Sequence, residues 1–131
     1  MKEIEASSHY RVEIDTAKNR FYLSLIGDVL TDAHVAGMMD AIQTAIGLLK
    51  PGFTAVGDFT ELKLLGLPDV SQQVQTTLLN GGLRKVASVW SHEGFSKIVV
   101  DSSAGKIKSG QYSEKRKVFT DRAEAEAWLD E

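Results

Sequence analysis

Residues 116–129 read as a short strand that runs directly into a capped helix, Arg116-Lys117-Val118-Phe119-Thr120-Asp121-Arg122-Ala123-Glu124-Ala125-Glu126-Ala127-Trp128-Leu129. Thr120 or Asp121 is placed to accept a hydrogen bond from the free N–H groups of that helix. Glu124 follows Asp121 by three residues, as in a capping box. Asp121 and Glu124 also put negative charge at the positive end of the helix dipole. This tail closes a strand–helix alternation that runs through most of the chain. Strands separated by helices need crossover connections, and those connections make a sheet largely parallel.

The alternation begins with a hairpin. Tyr10, Val12 and Ile14 alternate with Arg11, Glu13 and Asp15, the period of a half-buried strand. After a polar turn, Phe21, Leu23 and Leu25 alternate with Tyr22, Ser24 and Ile26, so the second strand is apolar on both faces and belongs nearer the sheet centre. Val35, Met38, Met39, Ile42, Ala45, Ile46 and Leu49 recur at helical spacing and predict a helix from Thr31, its N-cap, to Leu49, stopped by Pro51-Gly52. Residues 53–59 predict a third strand. A loop rich in leucine follows, with Leu62, Leu64, Leu65 and Leu67. Pro68-Asp69 opens a second helix that ends at Asn80-Gly81-Gly82. Residues 84–90 predict a fourth strand, and a third helix starts near Glu93 with Phe95, Ile98 and Val99 on it.

The expected fold class is therefore α/β. A mixed, mostly parallel sheet of four to five strands carries an N-terminal antiparallel hairpin and is covered by about four helices. One domain is expected over residues 1–131, with its core at about 9–130. The hydrophobic share of 43% and charged share of 25% are ordinary for a globular chain.

This element order, with the Asp58-Phe59-Thr60 strand exit and the Val118 to Leu129 ending, resembles the STAS domain. More narrowly it resembles the SpoIIAA-like group of small stand-alone bacterial proteins, often grouped with the Sec14 lipid-binding fold. The resemblance spans about Tyr10 to Leu129. It implies either a lipid-type ligand or a switch like the anti-sigma-factor antagonists, which carry a phosphorylatable serine at the start of their second helix. Ser71 lies nearest that position, although the paired serine and the glycine of the family motif are missing here. The Asp101-Ser102-Ser103-Ala104-Gly105 stretch has the right look but falls after the fourth strand, so it is the wrong place in the order.

Composition narrows the function classes. The net charge of -3 gives no overall reason to bind nucleic acid. With no cysteine there is no disulfide, thiolate nucleophile or zinc-thiolate site. His9, His34 and His92 show no metal-ligand spacing, and no phosphate loop or nucleophile elbow is present. No cofactor, metal or catalytic group is expected. The N-terminus lacks the apolar region of a signal peptide, and no apolar run approaches the ~20 residues that span a bilayer. A cytoplasmic location is expected, with peripheral contact at the inner membrane as a further expectation.

The expectation for function is a non-enzymatic binding module for an apolar or lipid-like small molecule. Its expected ligand residues are Asp58, at a strand's C-terminal end where ligands of open sheets gather, the loop leucines Leu62, Leu64, Leu65 and Leu67, and the aromatics Trp90 and Phe95. Leucines in a loop expose apolar surface. The lysines and arginine at 97, 106, 108 and 115–117 would give anionic headgroups a basic surface. The alternative is a protein-interaction switch phosphorylated near Ser71. A homodimer through a sheet edge fits the pattern, though no residue marks its interface.

Overall fold

The computed structural model describes residues 1–91 and 111–131. A six-stranded mixed sheet forms its centre, in the order β1-β2-β3-β5-β7-β8. Its strands are β1 (Lys2–Ala6), β2 (Tyr10–Asp15), β3 (Arg20–Leu25), β5 (Thr54–Asp58), β7 (Lys85–Val89) and β8 (Arg116–Phe119). β2 runs antiparallel to both its neighbours, β1 and β3, and β3, β5, β7 and β8 are parallel. A separate ribbon pairs β4 (Gly27–Val29) with β6 (Leu62–Leu65).

Three features depart from the expectation. The sheet has six strands because Lys2–Ala6 adds an antiparallel edge beyond the hairpin. Its pattern, Lys-Glu-Ile-Glu-Ala, is too polar to announce a strand, and pairing with β2 makes it one. The leucine-rich segment is a strand for most of its length, because Leu62–Leu65 finds a partner in Gly27–Val29. The expected helix over residues 31–49 is broken. A 3-10 turn covers Asp32–Val35, and helix α1 covers Met38–Gly47. Gly37 between them has φ +84°, a left-handed conformation that L side chains resist, and a Cβ there would meet Glu5 Oε1 at 3.4 Å. Tyr10 fixes the break by donating its hydroxyl to the Ala36 carbonyl at 3.1 Å. Thr31 makes no side-chain cap.

Helix α2 spans Pro68–Asn80, as its start and stop signals predict. A single helical turn, Gln111–Glu114, leads into β8. The C-terminal helix, Arg122–Leu129, is capped by Asp121, whose Oδ1 accepts from the Ala123 N–H at 2.8 Å. The third helix expected from Glu93 falls in residues 92–110, outside the described residues.

The two faces of the sheet differ. One carries the main core, where Tyr10, Val12, Ile14, Phe21, Leu23, Phe53 and Ala55 pack against α1 and α2. The other carries Tyr22, Val56, Ala87 and Val89 against Ala125 and Leu129 of the C-terminal helix. Arg20 is buried on this second face. Its guanidinium donates to Thr54 Oγ1 at 2.8 Å, Glu126 Oε1 at 2.8 Å and Asp130 Oδ1 at 2.7 Å. Burial alone would lower the Arg20 pKa, but the bonds to Asp130 and Glu126 more than offset that and raise it. Tyr22 donates its hydroxyl to the same Glu126 at 2.9 Å.

All three tyrosines hold their protons more tightly than free tyrosine. Burial pushes Tyr22 up to about 12, helped by Glu126, and pushes Tyr112 up to about 12 against the opposing charge of Arg116. Burial and then Glu5 raise Tyr10. A group whose folded pKa is raised contributes stability below its unfolded value and loses it as pH rises through the folded value. Alkaline unfolding is therefore expected between pH of about 10 and about 12. Tyrosinate absorbance should rise together with the loss of far-ultraviolet circular dichroism. Titration near the ordinary tyrosine value in a still-folded chain would contradict this.

Candidate ligand site beneath helix α2

An apolar cavity of about 40 Å³ lies between α2 and the main-core face of the sheet. Phe21 and Leu23 of β3, Ala55 and Gly57 of β5, and Val86 and Ser88 of β7 form its floor. Val70, Ser71, Val74, Gln75 and Leu78 of α2 form its roof, and Met38, Phe59, Leu65 and Tyr112 close its ends. A water needs ~10–15 Å³ of such space, whereas sites for organic ligands run to roughly 300–1,000 Å³. A ligand of any length therefore needs α2 to lift.

The buried faces of the two helices show which one is held less firmly. Helix α1 buries only apolar side chains, Met38, Ala41, Ile42 and Ala45. Helix α2 buries Val74 and Leu78, but beside them Ser71 and Gln75. Gln75 Nε2 donates to Ser71 Oγ at 3.2 Å, so one bond of this buried pair runs along the helix itself. Two buried polar residues of four weaken the hydrophobic hold of α2 relative to α1. Glycines flank the helix, with Gly66 two residues before Pro68 and Gly82, at φ +104°, just past its end.

The expected ligand residues scatter around this cavity. Leu65 lines it. Leu62 is buried in the main core, Leu64 is exposed, and Leu67 is half-buried. Leu67 lines a separate open groove of about 700 Å³ between α1 and α2 with Val35, Met39 and three aspartates, Asp32, Asp40 and Asp69. Trp90 is buried at the end of β7, its ring 4.6 Å from that of Phe59. Ser71 faces the cavity and is 8% exposed, so a phosphate on it requires α2 to leave the sheet. Phe95 lies outside the described residues.

Asp58 lies on the opposite face. It shares strand parity with Thr54 and Val56, and Val56 packs under the C-terminal helix. Its Oδ1 accepts from the Thr60 N–H at 3.0 Å and hydroxyl at 2.7 Å, and its Oδ2 pairs with Arg122 at 3.1 Å. The carboxylate thus ties the strand exit to the start of the C-terminal helix. Asp58→Ala is expected to cost about 1 kcal/mol of stability, because Arg122 is itself partly exposed. Uptake of an apolar probe should be unchanged, as denaturation and binding measured on one preparation would show.

The basic residues of the described tail do not share one surface. Arg116 donates from Nε to Ser88 Oγ at 2.9 Å on the cavity face. Lys117 lies over Phe119 and Trp128 on the other, with Nζ 5.4 and 5.9 Å from the ring centres. The histidines meet unexpectedly: His9 and His34 stack with centroids 4.1 Å apart. The cavity residues missed in the sequence include Gly57 and Phe59. Their signal was the pairing of a glycine with an aromatic two residues on, on one strand face.

No family model matches this chain, and no curated protein does. Over 95% of its length it is similar to a solved structure from Shewanella loihica PV-4, an uncharacterised protein of the DUF3478 family with a SpoIIAA-like fold. The match covers 97% of that chain at a TM-score of 0.61 and 22% identity. The present chain therefore has a SpoIIAA-like fold, as the element order led us to expect.

Proposed function

We propose that this chain is a non-enzymatic binding module that takes an apolar or lipid-like small molecule between its sheet and helix α2, working in the cytoplasm at the periphery of the inner membrane. The observation that carries this reading is the apolar cavity roofed by a helix whose buried face is half polar. The ligand replaces the weak contacts of α2 with apolar contacts of its own. Membrane contact draws support from Leu30 and Leu64, 45% and 38% exposed. Leu64 pairs across from Asp28 in the β4–β6 ribbon, and the Leu30 side chain lies against Gly66. Leu30 follows β4, and Leu64 lies in β6, the strand that precedes α2. Among the described residues no helix is long and apolar enough to cross a membrane.

Native mass spectrometry of protein purified without detergent, followed by denaturing extraction, tests the reading. It predicts an adduct released as an apolar molecule, and flotation with anionic vesicles at low salt. A clean unliganded mass with no flotation contradicts it. The same spectrum reports whether the chain is a homodimer.

A second reading is a protein-interaction switch modified at Ser71, favoured by the place of Ser71 on the buried side of α2. A phosphate there would convert a modification directly into helix release. Its test is an intact-mass survey of protein from its native cells, in which a consistent absence of phosphate argues against the switch.

A further inference from the structure

Trp90 is 3% exposed, and its indole Nε1 is buried with no hydrogen-bond partner among the described residues. Buried indole N–H groups usually find an acceptor, because an unpaired one forfeits its hydration. Phe59 lines the cavity and touches Trp90, and Trp90 itself is not part of the lining. Phe59 thus touches both the cavity and Trp90, its ring tilted 30° to the indole. Its ring is folded back over Gly57, where a Cβ would lie 2.9 Å from Cζ. Only a glycine leaves room for that position. Both aromatics sit at the C-terminal ends of parallel strands, where the Phe59 N–H donates to the Val89 carbonyl at 2.9 Å and the Trp90 N–H to the Phe119 carbonyl at 3.0 Å. Ligands of open α/β sheets gather at such ends.

We infer that Trp90 is the polar anchor of the ligand site: a ligand with an apolar chain and a neutral oxygen acceptor, of acyl-ester or ketone type, turns Phe59 off Gly57 and accepts a hydrogen bond from Trp90 Nε1. This rests on the binding-module reading and adds the head chemistry of the ligand. A neutral carbonyl fits better than a carboxylate, since one neutral donor does not compensate the burial of a charge.

Methyl dodecanoate, which carries a carbonyl, and dodecane, which does not, separate the terms when each is delivered from cyclodextrin. Trp90→Phe keeps an aromatic ring and removes the N–H. It is expected to weaken methyl dodecanoate binding roughly fivefold and leave dodecane unchanged. In Trp128→Phe, where Trp90 is the one remaining indole, the ester and not the alkane should shift indole emission. Gly57→Ala puts a Cβ where the Phe59 ring rests and should speed ester association. The inference is overturned if Trp90→Phe binds the ester as the wild type does, or if it loses both probes equally, since the residue then acts by packing alone. In either case wild-type binding of both probes leaves the binding-module reading standing. Binding of neither probe to the wild type overturns the reading and the inference together. Circular dichroism of each variant confirms that it is folded.

Discussion

Arg20→Met lowers the unfolding free energy by about 2–3 kcal/mol in urea denaturation. Arg20 opens β3 with its side chain 2% exposed and gives three hydrogen bonds, to Thr54, Glu126 and Asp130. Met fills much of the same volume, so the loss is chiefly polar. Thr54 stays buried and, like Glu126, loses a charged donor, although Glu126 retains Tyr22. Removing one partner of a fully buried pair costs about 3–5 kcal/mol. Here Glu126 is 25% and Asp130 52% exposed, and water replaces part of what is lost. The acid limb changes as well. The bond from Arg20 holds the Asp130 carboxyl below its ordinary 3.8. A depressed folded pKa contributes stability above the unfolded value and loses it as pH falls through the folded one. Wild type should therefore lose this contribution below about pH 4, and Arg20→Met should lack that part of the acid dependence. A variant within 1 kcal/mol of wild type at neutral pH would show the network to be dispensable, that threshold being about the worth of one surface ion pair.

Ala55→Leu abolishes most ligand uptake and leaves the fold in place. Ala55 lies on the floor of the cavity, buried in β5. The added atoms extend into the space of about 40 Å³ beneath α2. Overpacking a full core costs about 1–3 kcal/mol, but filling a void returns part of that, so a net change of about 1 kcal/mol or less is expected. The ligand loses the same space and meets a leucine where its chain should lie. Affinity for methyl dodecanoate should fall at least tenfold, or roughly 1.4 kcal/mol. A variant that melts like wild type and binds like wild type would place the ligand elsewhere.

Much of the fold was legible because its elements carry local signals. The period of two over Tyr10 to Leu25, the Pro68 start and Gly81-Gly82 stop of α2, and the Asp121 cap all correspond to observed elements. What escaped depends on partners outside the segment itself. Lys2–Ala6 has no pattern of its own and becomes a strand through β2. Leu62–Leu65 needs the three-residue partner Gly27–Val29. The break at Gly37 is set by contacts from Glu5 and Tyr10.

The site was less legible. Leu65, Ser71 and Trp90 lie at or beside the cavity, because apolar residues near strand exits and helix starts tend to meet there. Asp58 was drawn to the same place by its strand-end position. Its parity with Val56 could be read, but which helix covers which face could not, and Asp58 serves the C-terminal helix. The link between Arg20 and Glu126 crosses 106 residues and leaves no local trace in either segment.

The most direct measurement of the central claim is isotope-filtered nuclear Overhauser contact between unlabelled methyl dodecanoate and the labelled protein. Contacts are expected from the probe's chain to the methyl groups of Met38, Val74 and Leu78, which surround the cavity. Contacts confined to the exposed Leu30, Leu48 and Leu64, with none beneath α2, would contradict it.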